Sequence, residues 1–199
     1  MTAKRLFDLV FSISVLVLLS PLMIACAIWI KLDSSGPILF RQERIGRGEV
    51  PFKILKFRTM TVQNTGPEPL ITRKGDERIT RCGKVLRRLK LDELPQFANV
   101  LAGQMSIVGP RPEVRKYISV YPKLSRQKTL SVRPGITDNA SIRFRDEGAM
   151  LAAVRDAERE YVEVILPKKI SLYEEYVDNQ SLLGDILIIL RTAWNVVRQ

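Results

Sequence analysis

The chain has 199 residues, 46% hydrophobic and 27% charged, which is enough for one compact domain plus an anchor. This composition excludes wholesale disorder, and the formal net charge of +11 indicates an anionic partner: nucleic acid, anionic lipid or a phosphorylated substrate. The absence of histidine excludes histidine-based acid–base catalysis and histidine-ligated metals, so the chemistry depends on carboxylates, lysine or tyrosine.

Residues 9–30 form an uncharged apolar run long enough to cross a bilayer. Ser20 and Pro21 interrupt it, and a break is expected there because proline cannot donate the helical hydrogen bond. Each half then spans only about 17 Å of a ~30 Å hydrocarbon core. Basic residues such as Lys4 and Lys31 flank both ends, which favours a hairpin that enters and leaves through one leaflet. A kinked transmembrane helix remains the alternative.

The rest of the chain predicts a mostly helical α+β domain. Alternating β-branched and aromatic residues predict a hairpin of strands at 38–42 and 52–60, and glycine and proline predict a loop at 61–75. Amphipathic patterns predict a basic helix at 76–90 and a second helix at 92–101. Further along the chain, we expect an irregular segment at 105–112, a helix at 113–130 broken near Pro122, a turn at 133–135, and helices at 147–164, 167–179 and 182–197.

Two adjacent carboxylates, Asp92 and Glu93, stand at the predicted start of the second helix. Helix capping alone explains acidic residues there, with Asp92 as the N-cap and Pro95 in the first turn. Alternatively, the helix N-terminus and the neighbouring basic helix lower the pKa of Asp92 and keep it ionised as a nucleophile toward phosphorus. Glu93 would then hold a hard cation such as Mg²⁺ together with phosphate oxygens. Spacing alone leaves both interpretations open.

Phosphoryl transfer also requires cations that offset the charge of the phosphates. Proline on both sides of Arg111 restricts the backbone, which favours a fixed guanidinium for bidentate phosphate contact. Taken singly, each such residue is more often a solvated surface charge. The candidate cations are Lys53, Lys56, Arg58, Arg87, Arg88, Arg111, Arg133, Arg143 and Arg145.

Several short motifs follow one another between about residues 3 and 195. They are Lys4-Arg5-Leu6-Phe7-Asp8, Ser20-Pro21, Phe52-Lys53-Ile54-Leu55-Lys56-Phe57-Arg58-Thr59-Met60, Leu91-Asp92-Glu93-Leu94-Pro95-Gln96, Val108-Gly109-Pro110-Arg111-Pro112 and Val132-Arg133-Pro134-Gly135-Ile136-Thr137. Each motif is weak alone. In this order they closely resemble the bacterial sugar transferase family, the monotopic phosphoglycosyl transferases.

The resemblance implies a re-entrant membrane helix broken at Ser20 and Pro21. It also implies a two-step reaction in which Asp92 attacks the sugar-bearing phosphate of a UDP-sugar and expels UMP. The phosphosugar–aspartyl intermediate then passes its load to undecaprenyl phosphate. In this resemblance Glu93 matches the Mg²⁺ ligand.

The resemblance also implies roles for residues outside the acidic pair. Lys56, Arg111 and Arg145 look like phosphate-binding cations, and Asp185 matches another active-site carboxylate. Together with cations from the basic set, the predicted substrate-binding residues are Lys56, Arg58, Arg88, Arg111, Arg133, Arg145 and Asp185.

One segment departs from the family pattern. Many members continue Arg-Pro-Gly-Ile-Thr with Gly-Leu-Ala-Gln-Val and then a Gly-Arg pair, whereas this chain has Asp138-Asn139-Ala140-Ser141-Ile142-Arg143-Phe144-Arg145. The identity of the donor sugar therefore cannot be inferred from members that have the commoner pattern. The chain also lacks the extra N-terminal membrane helices of larger members, so we expect a small form limited to the catalytic core.

The last predicted helix, 182–197, carries a wide apolar stripe. Such a stripe is typical of core packing, and the alternative is an interfacial helix with Arg191 and Trp194 at the lipid headgroups.

The predicted organisation is a re-entrant anchor at 1–32 and a cytoplasmic catalytic domain at 33–199, which act as one unit at the bacterial inner membrane. Cys26 lies in an apolar run and Cys82 among arginines, so no disulfide and a reducing compartment are expected. An oligomer is compatible with the sequence.

The competing hypotheses are a membrane-anchored basic protein that binds nucleic acid or anionic lipid without catalysis, and an anchored scaffold. Nucleic acid is not an expected partner, because only 7% of residues are aromatic and the positive charge is interleaved with acid.

Overall fold

A computed structural model describes residues 2–61, 70–72 and 75–198. Within these residues the fold is mostly helical with two small two-stranded sheets, which confirms the expected α+β class. The predicted loop at 61–75 lies largely outside the described residues. The largest buried cluster is in the C-terminal half, where Leu151, Tyr161, Ile165 and Tyr173 pack together.

The apolar N-terminal run forms two helices, α1 (Ala3–Leu18) and α2 (Ser20–Asp33), bent by 61° at the predicted break. Pro21 lies in the first turn of α2, where its missing N–H has no helical acceptor to lose. Among the described helices none alone is long and apolar enough to cross a bilayer, whereas this bent pair taken together has the required length and composition.

Polar contacts fasten the first turns of α1 to the rest of the chain. The buried carboxylate of Asp8 accepts hydrogen bonds from Ser106 Oγ at 2.8 Å and from the backbone N–H of Ile107 at 3.3 Å. Arg5 Nη1 donates to the carbonyl oxygen of Val100 at 2.8 Å. The beginning of α1 is therefore tied to residues 100–107.

The C-terminal end of α2 is tied to Arg58 and Cys82. Arg58 donates to the carbonyl oxygens of Ser34 at 2.7 Å and Ser35 at 2.6 Å, and its side chain is buried. Asp33 Oδ2 accepts a hydrogen bond from the N–H of Cys82 at 3.0 Å. Arg58, predicted to bind substrate, thus closes the end of α2, and the described contacts do not bring it to Asp92 or Glu93.

The predicted hairpin is confirmed with shifted bounds. Strand β1 (Leu39–Ile45) pairs antiparallel with β2 (Pro51–Phe57), joined by a turn in which Gly48 has φ 66° and Glu49 has φ 64°. Side chains on alternate positions of β2 share a face, and Phe52 and Ile54 bury theirs in one cluster. Lys56 is the next residue on that face, so the two-residue period of the strand places its side chain toward the interior.

The predicted basic helix at 76–90 is too long at both ends, because α3 spans only Arg81–Arg88. Thr80 caps it by accepting a hydrogen bond from the N–H of Gly83 at 2.9 Å. The Asp76 carboxylate accepts from the backbone N–H of Arg78 at 3.0 Å, which holds the preceding residues in a turn.

A 3₁₀ turn at Leu91–Glu93 and helix α4 (Gln96–Leu101) replace the predicted helix at 92–101. Lys90 precedes the turn with φ 56°, which reverses the chain after α3. Pro95 occupies the N-cap of α4, and Asp92 makes no capping hydrogen bond. The N-cap prediction for Asp92 is therefore wrong, because the helix begins after the proline.

A second sheet was not predicted: β3 (Ser106–Val108) pairs in parallel with β4 (Gly135–Thr137) in segments expected to be irregular or a turn. Glycine is required where the two backbones meet. A Cβ on Gly135 would lie 2.2 Å from the nitrogen of Gly109, and a Cβ on Gly109 would lie 2.5 Å from the carbonyl oxygen of Arg133. Gly109, where the two backbones meet, lies two residues before Arg111 in the chain.

The remaining described helices lie between residues 115 and 197, and of these α11 packs against both strands of the second sheet. The break near Pro122 and the bounds of the last helix are confirmed, whereas the start predicted at 113 is two residues early. The helices are α5 (Arg115–Ile118), α6 (Lys123–Thr129), α7 (Asn139–Arg143), α8 (Glu147–Ala152), α9 (Ala157–Glu160), α10 (Leu166–Asp178) and α11 (Leu182–Val197).

The single helix predicted at 147–164 is wrong. Helix α8 ends at Ala152, and α9 begins anew where the Asp156 carboxylate accepts a hydrogen bond from the N–H of Arg159 at 3.0 Å. A π turn at Tyr161–Ile165 then joins α9 to α10, so Pro167 falls inside a continuous helical segment.

Candidate active site

The two adjacent carboxylates lie together on the 3₁₀ turn between α3 and α4. Their exposed fractions are 8% for Asp92 and 9% for Glu93, which is unusual for acidic residues. Buried charges require compensation by opposite charge or hydrogen bonds. The two residues meet this requirement very differently.

Glu93 is compensated by cations from two distant segments. Its Oε1 accepts hydrogen bonds from Lys56 Nζ at 2.8 Å and from Arg111 Nη2 at 2.6 Å. Burial alone would raise the pKa of Glu93, but the charges of Arg111, Lys56 and Lys90 outweigh burial and hold this pKa well below its usual range. Glu93 is therefore ionised, and in turn its charge raises the pKa of Arg111.

Asp92 is not compensated in this way. Its Oδ1 is buried and makes no hydrogen bond to the described part of the protein. Burial, and next the adjacent charge of Glu93, raise the pKa of Asp92, and the attraction of Lys56, Lys90 and Arg87 offsets them only in part. The sequence-based expectation of a lowered pKa is wrong, because tertiary burial outweighs the basic neighbours.

Arg87 on α3 is the arginine of that helix that acts on Asp92. Its Nε donates to Thr59 Oγ1 at 2.9 Å, and burial lowers its pKa while the charge of Asp92 opposes that shift. Arg88, which we predicted to bind substrate, is exposed on α3. The sequence contained both arginines, and only the packing of α3 distinguishes them.

Beside Glu93 and Arg111 opens a cleft of about 650 Å³ between the 3₁₀ turn, β4, α7 and α11. Arg145, predicted from the sequence, lies at this cleft and is exposed, with Nε 3.2 Å from Asp146 Oδ2. Asp92 is not among the lining residues. The cleft is lined by Lys90, Glu93, Leu94, Phe97, Arg111, Ile136, Thr137, Ser141, Ile142, Arg145, Thr192, Asn195 and Val196.

Asp185 and Arg133, both predicted to bind substrate, make their described contacts away from the acidic pair. Asp185 has an exposed fraction of 1%, with Oδ2 2.5 Å from Lys4 Nζ and Oδ1 accepting from Tyr176 OH at 2.9 Å. It joins the start of α11 to the start of α1. Arg133 Nε donates to the carbonyl oxygen of Gly103 at 2.8 Å. The structure therefore brings neither side chain into contact with the acidic pair.

Asp138 is a buried acidic residue near the site that sequence reasoning did not select. Its two oxygens accept hydrogen bonds from the backbone N–H of Ser141 at 2.9 Å and from Ser141 Oγ at 2.6 Å, which starts α7 beside the cleft. Burial raises the pKa of Asp138, and the charge of Arg111 opposes this shift. The sequence feature that could have indicated Asp138 is its position in the segment that departs from the family pattern.

Comparison with known proteins agrees with this arrangement of motifs. The family model described as bacterial sugar transferase matches residues 1–199. The chain is 39% identical over 194 residues to the UDP-glucose:undecaprenyl-phosphate glucose-1-phosphate transferase of Caulobacter vibrioides, covering 96% of this chain and 68% of that protein. It is 34% identical over 197 residues to the uncharacterized sugar transferase EpsL of Bacillus subtilis, covering 99% of this chain and 88% of that protein.

A third relative is longer. The UDP-N-acetylgalactosamine-undecaprenyl-phosphate N-acetylgalactosaminephosphotransferase of Aeromonas hydrophila is 38% identical over 199 residues, which cover 98% of this chain but 43% of that protein. The chain thus spans less than half of some of the relatives that it matches. The match over its whole length shows that the chain belongs to the bacterial sugar transferase family.

Proposed function

We propose that the protein transfers a sugar-1-phosphate from a UDP-sugar to undecaprenyl phosphate and releases UMP. The observation that carries this proposal is the buried acidic pair, in which Glu93 is clamped by Lys56 and Arg111 while Asp92 keeps an unpaired oxygen. The activities for which the relatives are named support the same substrates. Family membership favours catalysis over a basic protein that only binds lipid or nucleic acid.

The first step uses the unpaired oxygen of Asp92 as the nucleophile. The carboxylate oxygen forms a bond to the sugar-bearing phosphorus, and the bond from that phosphorus to the bridging oxygen breaks. UMP leaves with the electron pair. An oxygen without hydrogen-bond donors is a stronger nucleophile than a stabilised one, because donors to a carboxylate favour its charged resting form.

The second step regenerates the carboxylate. A phosphate oxygen of undecaprenyl phosphate attacks the same phosphorus, the bond to the Asp92 oxygen breaks, and the sugar leaves on a lipid diphosphate. Lys56, Arg87 and Arg111 offset the negative charge in both steps, which is the main contribution of a protein to phosphoryl transfer. Because Glu93 already pairs with Lys56 and Arg111, it fixes these cations before substrate arrives.

The residues present fit a bound Mg²⁺. No group of three or more histidine, cysteine or acidic side chains in the described residues could hold a metal without substrate. Mg²⁺ suits such a place, since it is commonly held by one or two carboxylates plus phosphate oxygens. Glu93 would hold it, beside the unpaired Oδ1 of Asp92. When bound, the ion would neutralise charge on the donor diphosphate.

We also propose that α1 and α2 form a re-entrant anchor, residues 1–32, and that 33–199 is the catalytic domain on the cytoplasmic face of the bacterial inner membrane. The contacts at both ends of the pair support this topology. Asp8 binds Ser106 and Ile107 at one end, and Arg58 binds Ser34 and Ser35 at the other. A helix that crossed the bilayer would separate its two ends by the membrane thickness.

The proposed function is tested with the full chain in lipid nanodiscs, supplied with undecaprenyl phosphate, Mg²⁺ and a panel of UDP-sugars. We expect UMP release with at least one donor, loss of release on chelation, and loss in Asp92→Asn. Retention of a radiolabelled sugar phosphate on the protein without acceptor tests the covalent intermediate. Binding to anionic lipid with no UMP from any donor would instead support the non-catalytic alternative.

A further inference from the structure

The cleft beside the acidic pair is lined by more basic than acidic side chains. Lys90, Arg111 and Arg145 line it, against Glu93 as the carboxylate in the same lining. Glu93 already pairs with Arg111, and Lys90 has no ion pair to any described residue. Arg145 pairs with Asp146, which is not among the lining residues, so the lining has an excess of positive charge that suits a phosphate monoester.

Apolar side chains form another part of the cleft wall, and this part is continuous with the anchor. Leu94, Phe97, Ile136 and Ile142 belong to a hydrophobic cluster that also contains side chains of α1. The ring of Phe97 lies 6.2 Å from that of Phe11 on α1, measured between centroids. An apolar ligand in the cleft would thus contact the same side chains that hold the anchor in place.

Helix α11 separates the cleft from an exposed apolar surface. Thr192, Asn195 and Val196 lie on its inner face, at the cleft. The opposite face carries exposed Leu183, Leu187, Leu190 and Trp194. Apolar surface therefore surrounds the cleft on the anchor side and on the outside of α11, as expected for a site that receives a ligand from lipid.

The polar groups of the cleft are largely used within the protein. The hydroxyls of Thr137 and Thr192 lie 2.7 Å apart, and Thr192 Oγ1 donates to the carbonyl oxygen of Ile188. Ser141 Oγ donates to Asp138. Groups that already make these hydrogen bonds are poorly suited to recognise sugar hydroxyls, because a ligand would have to replace an existing hydrogen bond.

We propose that this cleft receives the acceptor, with the phosphate of the polyprenyl phosphate at Lys90, Arg111 and Arg145 and its first isoprenoid units along Phe97, Ile142 and Val196. The inference rests on the proposed function and adds where the lipid binds. The donor then occupies the other side of the acidic pair, near Lys56 and Arg87.

The test compares neighbouring positions on α11. Val196→Asn changes the cleft wall, and Val197→Asn makes the same change at a side chain that is 79% exposed. Steady-state release of UMP by the full chain in nanodiscs gives the KM for undecaprenyl phosphate and for the UDP-sugar. We expect Val196→Asn to raise the acceptor KM about tenfold, with the donor KM unchanged, because a polar amide replaces an apolar contact.

Ile142→Asn on α7 provides a second, independent position in the cleft, and it should raise the acceptor KM by a similar factor. Val197→Asn should leave both constants unchanged. Thermal unfolding of each variant confirms that it is folded.

A rise in the donor KM with an unchanged acceptor KM would assign the cleft to the nucleotide-sugar and overturn the inference. Unchanged constants in both cleft variants would also overturn it. Parent protein that releases no UMP would instead reject the proposed function itself.

Discussion

Asp185 and Asp92 are both withdrawn from water, with exposed fractions of 1% and 8%, yet their surroundings are opposite. Each oxygen of Asp185 has its own partner, Lys4 on one side and Tyr176 on the other. Oδ1 of Asp92 has no hydrogen-bond partner in the described part of the chain, and burial raises the pKa of this residue.

The difference indicates two uses of a buried carboxylate. A paired one joins elements of the fold, as Asp185 joins α11 to α1. An unpaired one destabilises the folded state, since a buried acceptor without a donor loses about 1–3 kcal/mol of hydration. Such an arrangement is typical of groups held for chemistry. The following predictions test that contrast.

Asp92→Asn should give the largest effect, a loss of UMP release of about 10³-fold or more, because an amide cannot serve as the nucleophile. Single-turnover release in nanodiscs measures it. Asp178→Asn, at an exposed position on α10, is the matched control and should retain the parent rate. Parent-like turnover by Asp92→Asn would refute the covalent mechanism.

Asp185→Asn should act on stability. Breaking a buried ion pair costs about 3–5 kcal/mol, and we expect about 2 kcal/mol here because Lys4 remains partly hydrated. Denaturant unfolding measures the change. Turnover per folded molecule should stay near the parent value. The opposite result, intact stability with lost turnover, would make Asp185 the active-site carboxylate that the family resemblance implies.

The stability of Asp92→Asn should depend on pH. A folded-state pKa raised above 3.8 means that ionisation of Asp92 destabilises the fold as pH rises through that pKa. The variant cannot ionise, so at neutral pH it should be about 1 kcal/mol more stable than the parent. This gain should disappear as the pH falls toward 3.8. Unfolding curves at several pH values measure it, and a gain independent of pH would contradict the raised pKa.

Arg88→Gln should give the smallest effect, a change in turnover within about twofold, because the side chain is exposed on α3. Arg87→Gln on the same helix should lower turnover at least about tenfold, since it removes a charge that acts on Asp92. Equal losses in both variants would show that α3 acts through its total charge.

Sequence reasoning succeeded where the signal is local. The break at Ser20 and Pro21 follows from the missing proline donor, and Leu182–Val197 follows from apolar periodicity. It failed where contacts between segments distant in the sequence determine the secondary structure. Strands β3 and β4 have three residues each, too short for a periodic signal, and each forms only against the other.

The same distinction between local and distant signals applies to the candidate active site. The motifs identified Asp92, Glu93, Lys56 and Arg111, and the structure brings the last two onto Glu93. The pKa of Asp92 could not be predicted, because it depends on how deeply the turn is buried. Arg87 could not be preferred over Arg88 either, because the difference between them depends on how α3 packs.

The approach of Gly109 to Gly135 sets the position of Arg111. A methyl group on either glycine would push apart the backbones that deliver the guanidinium to Glu93. An alanine at either position would leave every charged group of the site in the chain and displace the one at its centre. A chain with alanine there would therefore retain its catalytic residues but not their alignment.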